Sequence, residues 1–218
     1  MARFDIPPAD RLPYPAAESL PHAPTFDRPE GSFAVRAFGN VVHRFLQLIA
    51  TRLESGLTPD ALLAELPQWQ PRLFTVLRAE GIPPTVARRD AVRALAALQQ
   101  SLADPEGRWL LSPHPSSSNE QPLTSAHLQD LRADRTFFAG PAPLSSGSSV
   151  FWIVDFKTAT SHALAPEDFA AVELAKYRAQ LETYARIRRT ILPPGTPIRL
   201  ALYYPLIPRL IHWESPAE

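Results

Sequence analysis

Apolar and polar positions change period several times along the 218 residues. From residue 33 to about 55, Val42, Phe45, Leu46, Ile49 and Leu53 recur at helical spacing, which predicts a first long helix stopping at Ser55-Gly56. Residues 57–104 stay helical in pieces. Thr58-Pro59-Asp60 opens a short helix to about Leu66, a second runs from about Pro71 to Glu80, and Pro83-Pro84 opens a longer one to about Ala103. Then the period shortens. Arg108-Trp109-Leu110-Leu111 reads as a short strand, Glu120 to Leu123 as another, and His127 to Phe138 as a third, ending Asp134-Arg135-Thr136-Phe137-Phe138. Five apolar residues from Val150 run unbroken into Asp155, Phe156 and Lys157, the pattern of a buried central strand, antiparallel to the one before it. Pro166 opens a second long helix to about Thr190. Its first turn carries Glu167 and Asp168 and its last Arg186, Arg188 and Arg189, each sign at the end the helix dipole favours. Ile198–Tyr204 and Leu210–Trp213 close the chain as strands.

These elements predict an α/β class: a mixed central sheet flanked by helices, one domain over residues 33–218, with 57–104 as a helical insertion. Residues 1–32 hold seven prolines, which fix φ and remove donors, so this segment is expected to be extended, with Phe4, Leu12, Tyr14, Leu20 and Phe26 as apolar anchors.

Composition narrows the function classes. There is no cysteine, which excludes disulfides, thiolate zinc sites and cysteine-ligated iron–sulfur clusters. Basic and acidic side chains balance to a net charge of zero, whereas a protein that grips nucleic acid by itself is usually basic. No apolar run approaches the ~20 residues of a membrane span, and the N-terminus has no signal-peptide core, so the expectation is a cytoplasmic protein with no membrane partner. A Gly-x-x-x-x-Gly-Lys-[Ser/Thr] phosphate loop is also missing, so this chain carries no ATP-driven motor of its own.

The candidate chemistry gathers around the Val150 strand. Side chains alternate along a strand, so Asp155 and Lys157 share a face while Phe156 points the other way. A carboxylate and an ammonium at the end of a buried strand are costly to desolvate; a surface ion pair and a functional site are both open on this motif alone. Asp134 lies on the neighbouring strand. His43 sits on the first long helix, four residues after Gly39, a residue that costs a helix ~1 kcal/mol and so invites a reason such as the close approach of another backbone. Tyr177, Gln180 and Tyr184 follow one another along one face of the second long helix. Two carboxylates and an imidazole suit Mg²⁺ or Mn²⁺, and a lysine beside such an ion can hold or help deprotonate a water and screen charge on a phosphorane-like transition state.

Asp134 on one strand and Asp155-Phe156-Lys157 on the next resemble the PD-(D/E)XK nuclease signature. Gly39-x-x-x-His43 before them and Tyr177-x-x-Gln180-Leu181-x-x-Tyr184 after them narrow the resemblance to the RecB/AddA-type nuclease domain of bacterial helicase–nucleases, over roughly residues 33–215. The resemblance implies a restriction-endonuclease-like core in the order α-β-β-β-α-β. It implies His43, Asp134, Asp155 and the Phe156 backbone carbonyl as ligands of Mg²⁺ or Mn²⁺, with Lys157 as the catalytic lysine. Gln180 and Tyr184 would orient that lysine or the DNA backbone, and Tyr177 would join them in contacting DNA. It further implies an exonuclease acting on single-stranded DNA fed by a UvrD/Rep-like helicase module, in cis or in trans, during end processing and recombinational repair. The alternative is a catalytically silent domain kept to guide DNA or as a scaffold. Two departures stand out: Leu131-Arg132-Ala133 lacks the glycine often found before the first aspartate, and the cysteines of the iron–sulfur branch are missing. Glu120 matches, loosely, an acidic residue found before that aspartate.

Overall fold

The computed structural model describes residues 33–122, 132–160 and 165–216. The proline-rich segment 1–32, the start of the strand expected from His127, and the side chain of Glu120 lie outside the described residues.

Two long helices and a mixed sheet form the frame. Helix α1 (Phe33–Glu54) buries the stripe Val41, Val42, Phe45, Leu46, Ile49 and Leu53. Four further helices follow: α2 (Pro59–Glu65), α3 (Gln70–Ala79), α4 (Pro84–Ala103) and α5 (Pro105–Leu111), with a 3₁₀ turn at Leu66–Trp69 between α2 and α3. The sheet runs in the order β1 (Ser118–Pro122), β2 (Arg132–Ala139), β3 (Val150–Phe156), β4 (Ile198–Tyr204), β5 (Arg209–Glu214). Among the described strands β3 and β4 pair parallel and the other neighbouring pairs are antiparallel. A parallel pair needs a long crossover, and α6 (Pro166–Arg189) supplies it.

Side-chain alternation divides the core in two. Trp152, Val154 and Phe156 of β3, with Ala201 and Tyr203 of β4, pack against α1 and the helical array. Phe151 and Ile153, with Ile198, Leu200, Leu202 and Tyr204, pack against Phe169, Tyr177, Leu181 and Tyr184 of α6. Because β3 is covered on both faces, all seven of its residues are buried, which is why it reads as a continuous apolar run. Asp155 falls on the α6 side, in step with Phe151 and Ile153.

The buried Arg135 guanidinium joins three elements to β2. It donates to Asn119 Oδ1 of β1 at 2.5 Å and to the Ser112 carbonyl just past α5 at 2.8 Å, and it pairs with Glu54 at the end of α1 at 3.3 Å. Among the described residues no helix is long and apolar enough to cross a membrane.

One expected element is of the wrong type. Arg108-Trp109-Leu110-Leu111 is the second half of helix α5, not a strand. Asp104 caps that helix by accepting the Gly107 N–H at 2.8 Å, and Pro105 occupies its first turn. A short apolar run is ambiguous in period, and the cap-plus-proline signal three residues upstream decides it. The helical array therefore extends to Leu111, beyond the expected limit at 104.

Candidate metal and catalytic centre

The site forms where β3 runs out of the sheet. The β2–β3 ladder ends at Arg135–Val154, and next to that pair stand Asp134 on β2 and Asp155 on β3, close enough for Asp155 to feel Asp134's charge. Asp134 is held from two directions. Its Oδ2 accepts the Phe156 N–H at 2.7 Å, and its Oδ1 lies 3.2 Å from His43 Nδ1 of α1. Phe156 turns its ring into the opposite core, where His43 meets it edge-on at 6.2 Å between centroids. Gly39 has its reason here. A Cβ at that position would lie 3.2 Å from Thr158 Oγ1, so the bare helix surface lets the segment after Lys157 pass close to α1. The close neighbour is a side chain, not the backbone approach the sequence suggested.

Lys157 Nζ stands 2.7 Å from Asp155 Oδ2. The contact pairs opposite charges at hydrogen-bonding separation on a buried carboxylate. The lysine's other neighbour is Tyr177 of α6, whose ring centroid is 4.1 Å from Nζ. One further turn along α6, Gln180 Nε2 donates to the Tyr184 hydroxyl at 2.6 Å. Tyr184 feels the charges of Asp155, Lys157 and Asp134. The structure thus draws together His43, Asp134, Asp155, Phe156, Lys157, Tyr177 and Tyr184, with Gln180 attached through Tyr184.

The electrostatics sort these groups. Burial works against the charged form of His43, but Asp134's charge and hydrogen bond outweigh it and raise the imidazole above its ordinary value. Burial likewise opposes ionisation of Asp134, yet His43 and the Phe156 N–H bring it below the usual carboxylate range. Asp155 goes the other way: burial pushes it up, Asp134 adds to this, and Lys157 only partly offsets it. Burial alone would lower Lys157. Asp155 reverses this, helped by Tyr177 and Asp134, and holds the amine well above its ordinary value. Lys157 is therefore an ammonium at neutral pH. It can hold a water or screen negative charge, while taking a proton from that water would first require losing one of its own.

Whether this centre suits a divalent cation can be tested on its donor atoms. A buried carboxylate, a partly buried one and an imidazole are a hard, oxygen-rich set appropriate to Mg²⁺ or Mn²⁺. Among the described residues, however, no three His, Cys, Asp or Glu side chains stand grouped as a ready ligand shell. His43 and Asp134 spend donor atoms on each other, and Lys157 occupies the approach to Asp155. The residues fit in chemistry; the side chains would have to exchange these partners to take an ion.

Sequence reasoning missed four neighbours. Thr158 faces Gly39, as above. Glu173 of α6 is buried and accepts the Tyr204 hydroxyl at 3.0 Å. Lys176 places its Nζ 4.9 Å from the Tyr177 ring. Tyr204, fully buried on β4, has its hydroxyl pushed far up by burial and by Glu173. Glu173 stands four residues before Tyr177, and its place on the stripe that carries Tyr177 and Tyr184 was the available signal. Two surface clefts, one around Arg189 and Pro193–Pro197 and one around Pro67, Phe74 and Arg88, contain none of these groups. No family model matches the chain, and no curated protein is significantly similar to it.

Proposed function

We propose that this chain is a metal-dependent deoxyribonuclease of the PD-(D/E)XK type, hydrolysing phosphodiester bonds at the end of β3. The observation that carries the reading is convergence. Asp134, Asp155 and Lys157 come from two strands, His43 from α1, and Tyr177 and Tyr184 from α6, all in one partly buried cluster. A structural ion pair needs two partners; this cluster assembles residues from four elements around the Asp155–Lys157 pair.

In this reading His43, Asp134 and Asp155, with the Phe156 carbonyl, hold Mg²⁺ or Mn²⁺. When bound, the ion polarises a phosphoryl oxygen and makes a nearby water more acidic. The ammonium of Lys157 orients that water and opposes the charge gathering on the phosphoryl oxygens. Asp134 fixes the Phe156 peptide, and so the direction in which Asp155 and Lys157 project. Tyr177 restrains Lys157 from the α6 side, and the Gln180–Tyr184 pair presents donors toward the substrate backbone. A net charge of zero agrees with a strand delivered by a helicase module, in cis or in trans, instead of one captured by a basic surface. An exonuclease acting on single strands in DNA end processing is the activity that fits such delivery.

The test is degradation of end-labelled and circular DNA with Mg²⁺ or Mn²⁺. Wild type should act, prefer ends, and lose roughly 10²-fold or more in rate on Asp155→Ala or Lys157→Ala. Equal degradation by wild type and both variants would remove the assignment. A silent DNA-guiding domain is a second reading, and one observation favours it: each charged group of the cluster already has a partner within the chain. DNA binding without cleavage by wild type, in either metal, would select it.

A further inference from the structure

Tyr177 has a cation on each of two approaches. Lys157 Nζ lies 4.1 Å from its ring centroid and Lys176 Nζ 4.9 Å, so the two ammonium groups can be no more than about 9 Å apart. The ring itself is buried, while Lys176 is 42% exposed. Two like charges on one desolvated ring repel, and the arrangement needs an anion nearby to be favourable. Asp155 serves Lys157. The carboxylate facing Lys176 is Glu173, and it serves poorly: its Oε2 is committed to the Tyr204 hydroxyl at 3.0 Å, and its Oε1 is 3.9 Å from the amine. Lys176 is thus a half-exposed cation beside the cluster, under-neutralised within the chain. A nucleic-acid backbone presents phosphates at regular short intervals, and a second ammonium this near the first suits the neighbouring phosphate.

We propose that Lys176, carried on the Tyr177 ring, is a binding subsite for the phosphodiester adjacent to the one positioned at Lys157. This rests on the nuclease reading above and extends it: the substrate strand runs along the first half of α6, and Tyr177 spaces its two phosphate contacts. Glu173 acts as the placeholder anion that Lys176 leaves when DNA arrives.

A fluorescein-labelled single-stranded oligodeoxynucleotide, titrated with wild type in EDTA over a series of salt concentrations, reads the subsite without cleavage. Removing one phosphate contact should lower the slope of log affinity against log salt by about 0.7. Lys176→Ala should show this loss and bind several-fold more weakly. Lys176→Arg should restore the slope. Arg178→Ala, two residues on and paired with Glu182 at 2.8 Å, should leave it near wild type. In Mg²⁺, Lys176→Ala should raise KM by a larger factor than it lowers kcat. An unchanged slope in Lys176→Ala, or an equal loss in Arg178→Ala, overturns the subsite alone and leaves the nuclease reading standing. Wild type that neither binds nor cleaves the oligonucleotide overturns both.

Discussion

Asp134 does two jobs that a single substitution can separate. One carboxylate oxygen holds the backbone of β3 at Phe156, and the other pairs with His43. Asparagine keeps an acceptor for the Phe156 N–H and removes the charge. Asp134→Asn should therefore fold, and it should weaken Mn²⁺ binding by roughly tenfold or more, since it alters a proposed ligand and frees His43 from its partner. Isothermal calorimetry of the apoprotein with Mn²⁺ reads this directly; wild-type affinity in the variant would place Asp134 outside the metal's ligands. Among individual residues, sequence pattern revealed the members of the cluster that chemistry makes conspicuous: an aspartate and a lysine breaking an apolar run, a histidine beside a helical glycine. It did not reveal Glu173 or Lys176. A glutamate and a lysine on a helix are ordinary surface residues until the packing of α6 on β4 shows that one is buried and the other shares an aromatic ring.

At the level of elements, the least tolerant junction lies away from the site. Helix α5 packs so closely on β4 that a Cβ on Gly107 would run into both the Tyr203 hydroxyl and the Ser101 carbonyl. That hydroxyl also donates to Asp104, the residue capping α5, at 3.0 Å. Gly107→Ala must displace a backbone atom or break this cap, and should destabilise the fold by about 3 kcal/mol or more. Urea denaturation would show it as a lower midpoint at unchanged slope; a midpoint within error of wild type would mean the junction yields freely. The same junction explains the one element misread from sequence. Period identified α1, opening prolines marked α4 and α6, and a run of five apolar residues ahead of Asp155 marked β3. Residues 108–111 are too few to show a period, and Asp104-Pro105, the informative pair, sits where the preceding helix already seemed to end. The parallel pairing of β3 with β4 was likewise not written in any local pattern; it follows from α6 carrying the chain back across the sheet.

For the molecule as a whole, His114 and His212 make stability fall on mild acidification, while His43 opposes them. His114 donates from Nε2 to the Trp109 carbonyl at 2.7 Å and stacks on Phe137 at 4.2 Å; burial chiefly, with Arg135 adding, lowers its pKa. His212 is lowered by burial and by Arg199. For both, the unfolded chain takes up a proton first. Their contribution is intact above the ordinary imidazole value of about 6.5 and is lost as pH falls through it toward the depressed folded values. His43, raised by Asp134, has the opposite sign: its contribution is intact below about 6.5 and is lost as pH rises through its raised value. Thermal melts from pH 7.5 to 5 should show a midpoint that falls less, or rises more, in His114→Gln than in wild type. Parallel curves for the two would mean that His114 does not titrate differently in the folded state. The broad α/β architecture was readable because the sheet is covered on both sides and its central strands β3 and β4 are mostly apolar. The pairing of charges within it was not, because strand order alone does not say which side chain meets which.

The Arg135 junction has a mechanical consequence. Asp134 and Arg135 are consecutive on β2, yet they grasp α1 at places eleven residues apart, His43 and Glu54, a span of about 16 Å along the helix axis. Two anchors so far apart brace the helix against sliding and against pivoting. If His43 exchanges Asp134 for an ion, the brace at Glu54 remains, and α1 stays seated while the partners at its middle change. Such an exchange would be a matter of side-chain rotation against a fixed frame, with no helix to reset.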